Sequence, residues 1–193
     1  MNAYTRPLRM LVTLPLALAL VAGCGYNTIQ TMDEQVNAAE AQIKVQLQRR
    51  ADLVPNLVET VKGYAKQEQT IFIQVADARA KLAGAVQSGT LEQMAAANAA
   101  LTAPLGRLLA IAENYPQLKS NENFRALQDQ LEGTENRIAV ARQDYNESVN
   151  RYNAYIRRFP QVLTARVLGK HPRQYFELQT PTGGEAPKVD FSH

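Results

Sequence analysis

One stripe of mostly apolar side chains runs from Phe124 to Phe159. Phe124, Leu127, Leu131, Thr134, Ile138, Ala141, Tyr145, Val149, Tyr152, Ile156 and Phe159 recur at steps of three and four. A period near 3.5 residues, sustained for about five heptads, belongs to a long helix lying against other helices. A strand, with its period of two, cannot present it. Pro160 stops the pattern.

Three further stripes precede it. Over Asn27 to Leu53, Ile29, Met32, Val36, Ala39, Ile43 and Leu47 share one face. Pro55 removes an amide donor, so a second helix is expected to start near Asp52 or Leu53 with Pro55 in its first turn. It carries Leu57, Val58, Val61, Tyr64, Ile71, Val75, Ala78 and Leu82, bends at Gly63 and fades between Gly84 and Gly89. The alternative is one helix continuous through Pro55, giving a longer and thinner bundle. Thr90 with Gln93 forms a capping box for a third helix bearing Leu91, Met94, Leu101, Leu105, Leu108 and Ala112. A kink is expected at Pro104 and an end at Tyr115-Pro116, with Ser120 or Asn121 capping the fourth helix. Val162 to Leu168 adds a helical turn. Beyond Gly169 come Pro172, Pro181, Gly183, Gly184 and Pro187, an extended tail in which Tyr175 and Phe176 can pack on the bundle. These patterns predict an all-α fold, a long antiparallel bundle of about four helices with an extended C-terminal tail.

The N-terminus carries an address. Arg6 and Arg9 form a positive region ahead of the apolar run Met10 to Ala22. Roughly 13 residues of helix cover only about 20 Å, short of the ~30 Å hydrocarbon core of a bilayer. The run ends Val21-Ala22-Gly23-Cys24, which resembles a bacterial lipobox, with the Cys24 thiol as the nucleophile that takes the lipid. Cys24 is the sole cysteine, so it has no disulfide partner within the chain. Its competing reading is an idle thiol beside ordinary signal cleavage or an uncleaved anchor. The expected organisation is a lipoprotein signal peptide over 1–23, a helical bundle over 24–168 and a tail over 169–193. Gly25 lacks the aspartate that resembles an inner-membrane retention signal, which points to outer-membrane sorting facing the periplasm.

Charge and motifs exclude several functions. The formal net charge is +3, and removing Arg6 and Arg9 with the leader leaves acids and bases nearly balanced. A concentrated basic face for nucleic acid is not indicated. His171 and His193 have no Cys or His at ligand spacing, so no metal site is expected. Glu132 and Glu135 lack the histidine of a di-iron bundle motif. No nucleophile elbow, phosphate loop or dinucleotide fingerprint occurs, and neither catalytic residues nor a cofactor are assigned.

The run from Gln46-Leu47-Gln48-Arg49-Arg50 through Pro55-Asn56-Leu57-Val58-Glu59-Thr60-Val61-Lys62-Gly63-Tyr64 closely resembles the LemA family of bacterial envelope proteins. So do Ala78-Arg79-Ala80, Tyr115-Pro116-Gln117-Leu118-Lys119, Glu135-Asn136-Arg137-Ile138, Tyr145-Asn146, Tyr152-Asn153, Phe159-Pro160 and, faintly, Tyr175-Phe176-Glu177. The resemblance spans Tyr26 to about Leu178 and implies a long antiparallel helical bundle outside the cytoplasm. It brings no catalytic residues, because none is established for the family. Some relatives are associated with membrane organisation or envelope peptidases. Many look anchored by an uncleaved helix, where this chain carries a lipobox-like cysteine.

Two polar groups remain. Arg49, Arg50, Asp52, Asn56 and Glu59 crowd around Pro55 and form the candidate interaction site; a hydrogen-bonded clasp between Asp52 and one arginine is the structural alternative. Arg142, Asn146, Asn150, Asn153 and Arg157 form a ladder beside the Tyr145 stripe, read as a register device ahead of a ligand-binding amide row. The expected function is a membrane-anchored, non-enzymatic helical envelope protein that scaffolds or binds a protein partner, with self-association left open. The alternatives are an accessory to, or member of, an envelope hydrolase or peptidase system, or a carrier of an apolar ligand between helices.

Overall fold

The computed structural model describes residues 5–176, with side chains from Gly25 onward. Cys24's side chain and the tail beyond Phe176, including Gly183, Gly184 and His193, therefore lie outside the described residues. Six helices follow in order: α1 Thr5–Lys62, α2 Gln69–Ser88, α3 Leu91–Glu113, α4 Pro116–Lys119, α5 Glu122–Ile156 and α6 Gln161–Val167. No strand occurs among the described residues, and the all-α bundle class holds. The described residues divide into two compact units, one of 5–46 with Thr134–Tyr175, the other of Leu47–Gly133 with Phe176.

In the first unit the α1 stripe buries Ile29, Val36 and Ile43, and α5 buries Ile138, Ala141, Tyr145, Val149, Tyr152 and Ile156. Ala165 of α6 is buried as well. Phe159, placed by periodicity on the α5 stripe, is instead 80% exposed. The helix ends at Ile156, three residues earlier, so its phase no longer governs where Phe159 points. After Gly169, whose φ of 65° suits a residue without a β-carbon, the chain leaves α6 as an irregular strap over 170–175. This strap is bound more tightly than the tail expectation allowed. Tyr145 donates its hydroxyl to the Gln174 carbonyl at 2.9 Å. Asn153 and the Arg173 backbone exchange two hydrogen bonds of 2.9 and 2.8 Å. Tyr175 itself stays exposed, whereas Phe176 is buried.

In the second unit the expected helix start at Pro55 is corrected: α1 continues through it to Lys62, as in the alternative reading. Pro55 carries no N–H for the carbonyl of Ala51, four residues earlier. Arg79 of α2 supplies the missing donor, its Nε lying 3.2 Å from the Ala51 oxygen. The break falls instead at Gly63, where Tyr64 and Ala65 both donate to the Val61 carbonyl in a tight turn. Tyr64, expected on the stripe, ends up 38% exposed beyond that break. α2 buries Ile71, Phe72, Val75, Ala78 and Leu82, and α3 packs against it through Met94, Leu101, Leu105 and Leu108. Thr90 and Gln93 form the expected capping box, with bonds of 3.2 and 2.8 Å. α3 runs on through Pro104, and Pro116 opens α4. Asn121 rather than Ser120 caps α5, its Oδ1 accepting from the Phe124 amide at 3.1 Å.

Candidate functional site

The structure separates the five residues grouped around Pro55. Arg50 is buried at 6% exposure and turns inward. It donates to the side-chain oxygen of Asn98, and its second nitrogen lies 3.3 Å from the Thr102 hydroxyl. Thr102 in turn donates to the Asn98 carbonyl at 3.2 Å, so one turn of α3 is shaped to receive the guanidinium. Arg49, Asp52, Asn56 and Glu59 are exposed. Asp52 accepts from Gln48 at 2.8 Å, which replaces the expected clasp with an arginine. Glu59 pairs with Lys62 at 2.8 Å, and the Thr60 hydroxyl donates to the Asn56 carbonyl. Pro55 does not need their side chains, because Arg79 attends to the freed carbonyl.

The other unit holds a buried ion cluster at residues that the sequence patterns did not single out. Asp33 of α1 is 7% exposed and receives Lys170 at 2.6 Å and the Arg173 guanidinium at 2.8 Å. Arg173 also donates to the Asn37 side chain at 2.8 Å. Burial pushes the Asp33 carboxyl up, but the bonds and charges of Lys170 and Arg173 outweigh it and hold the group below its ordinary value. The bond to Asp33 raises both Lys170 and Arg173 against the cost of their own burial. Nearby, burial and then the charge of Glu40 push the Tyr145 phenol up to about 12, with Arg173 opposing. A signal for this knot existed. Asp33 sits four residues after Ile29 and three before Val36, an acid on an apolar stripe that requires a cation.

Grooves lie beside these ties among the described residues. One of about 540 Å³ lies between α1 and α5, lined by residues including Ala38, Ala39, Gln42, Gln46, Val140 and Ala141. A second, of about 560 Å³, follows the expected ladder at Arg142, Asn146 and Asn150, with Tyr175 at its edge. Asn153 leaves that ladder to bind the strap, and Arg157 is exposed. The third, about 280 Å³ beside Gly106 and Phe124, belongs to the other unit. None of the three is lined by Ser, Thr, Cys or His. Among the described residues no three His, Cys, Asp or Glu side chains gather as metal ligands. α3 is long and apolar enough to cross a membrane by length and composition. One face of it is buried against α2 and receives Arg50.

A family model described as LemA matches residues 39–191. Magnetosome protein MamQ 1 and Magnetosome protein MamQ 2 of Paramagnetospirillum magneticum are each 30% identical over 187 residues, covering 85% of this chain and 68% of theirs. Magnetosome protein MamQ of Magnetospirillum gryphiswaldense is 31% identical over 181 residues, covering 82% of this chain and 66% of its own. The matched family span contains Arg50, Arg79, Asn98 and Arg173 but begins after Asp33.

Proposed function

The chain belongs to the LemA family, and from that membership we propose a lipid-anchored scaffold that holds a protein partner at the bacterial envelope. Its kinship with LemA and MamQ proteins makes it a membrane-associated, non-enzymatic envelope protein. The finer reading adds three things: removal of residues 1–23, acylation of Cys24, and residence at the outer membrane facing the periplasm. One observation carries the scaffold reading. The buried polar groups Asp33 and Asn153 in one unit and Arg50 in the other each join one segment to another within their own unit, which suits a support more than a mobile catalyst. The exposed Arg49, Asp52, Asn56 and Glu59 on α1 are then the proposed docking residues. Recovery of partners from envelope extracts with the full lipidated chain, compared with Arg49→Ala, tests this. One reproducible partner that weakens with the variant supports it, and equal recovery by both overturns the docking assignment.

A further inference from the structure

We infer that the α5–α6 turn and the outer face of α6 form a second membrane contact, selective for anionic phospholipid surfaces. The inference rests on the anchoring reading, because it places this face beside the lipidated end of the chain. Leu163 and Val167, one turn apart on α6, are 52% and 88% exposed, and Phe159 in the turn before it is 80% exposed. Three large apolar groups held in water within one short segment mark an interaction surface. Around them stand Arg157, Arg158 and Arg166, all exposed. None of these three has an ion-pair partner among the described residues. The nearest acids in sequence are Glu147 and Glu177, so this stretch is a block of positive charge. Apolar side chains interleaved with arginines are the composition that settles at the boundary between headgroups and acyl chains.

Position selects the bilayer as occupant. The opposite side of α6 rests on α1 at Gly25: a methyl added there would lie 3.5 Å from Cγ of Gln161 and 3.9 Å from the Thr164 hydroxyl. Gly25 follows Cys24 directly, so an acyl chain on Cys24 fixes α6 within a few ångströms of the membrane surface. The anchor supplies proximity, and the arginines supply preference for anionic headgroups.

The test uses the full lipidated chain carrying Val167→Cys, labelled with an environment-sensitive fluorophore and reconstituted into vesicles. A label at Gln143→Cys, roughly 20 Å back along α5, is the reference. Vesicles of phosphatidylglycerol with phosphatidylethanolamine should shift the position-167 emission to the blue and expose it to a quencher attached to lipid. Quenching should fall at least threefold in phosphatidylcholine, or when Arg157→Gln, Arg158→Gln and Arg166→Gln are combined. Quenching at 167 no greater than at 143 overturns the inference. Intact mass reports the anchor separately. Acyl chains on Cys24 without quenching at 167 retire the surface contact alone, whereas quenching without acyl chains retires the anchor alone.

Discussion

The Nε–H of Arg79 meets the carbonyl of Ala51 at 3.2 Å, the same carbonyl that Pro55 leaves without its helical donor. One side chain from α2 thereby lets α1 run unbroken through a proline. Arg79→Ala should cost about 1–3 kcal/mol, since it leaves a part-buried acceptor unpaired. Pro55→Ala restores the amide, so the cost of Arg79→Ala should shrink in that background by at least ~0.5 kcal/mol. Denaturant unfolding of the four chains measures the coupling, and strict additivity would refute the relationship.

Arg50 and Arg49 should differ sharply despite being neighbours. Arg50→Ala removes a buried cation from Asn98 and Thr102 and should destabilise by about 2–4 kcal/mol. Arg49→Ala, at an exposed position, should change stability by under ~0.5 kcal/mol. Thermal melts of both variants check this, and equal losses would contradict the assignment of inward and outward roles.

Much of the architecture was legible because apolar stripes report burial directly. The 3.5-residue period marked α5, and Thr90 with Gln93 marked the start of α3. Pro55 misled because a proline shows its missing donor but not the distant Arg79 that compensates for it. The polar ties were legible only as violations of pattern. Asp33, Arg50 and Asn98 each stand four and three residues from apolar neighbours on a buried stripe. Such a residue needs a partner, but sequence does not say which: Arg50 found an amide and a hydroxyl, and Asp33 found the strap. Phe159 failed for another reason. Periodicity continues on paper after the helix has ended at Ile156.

The strap should couple stability to acid through Asp33. Its carboxyl is held below the unfolded value of about 3.9, so the contribution is present above that pH and is lost as pH falls through the depressed folded value. Asp33→Asn should flatten this acid limb of the melting curve. A chain ending at Gly169 lacks Lys170 and Arg173 and should lose the same dependence while keeping its helical circular dichroism. An unchanged acid limb in both would separate Asp33 from acid stability.

At the alkaline end Tyr145 should contribute, alongside Tyr152, whose phenol is also pushed up by burial. Its folded value near 12 lies above the unfolded ~10, so the neutral phenol's contribution is intact below pH ~10 and disappears as pH rises toward the folded value. Tyr145→Phe should lose roughly 1 kcal/mol at neutral pH, from the bond to Gln174, and lose less further stability between pH 10 and 12. Melts across that range decide it; a wild-type slope retained by the variant would assign the alkaline loss elsewhere.

The central claim is an envelope scaffold held by lipid at Cys24, and intact mass spectrometry of the full chain expressed in a bacterium and extracted from its membranes tests it most directly. The predicted species begins at Cys24 and carries acyl chains, and Cys24→Ser abolishes that species. A membrane-extracted chain that still begins at Met1, with an unmodified thiol at Cys24, would contradict the account.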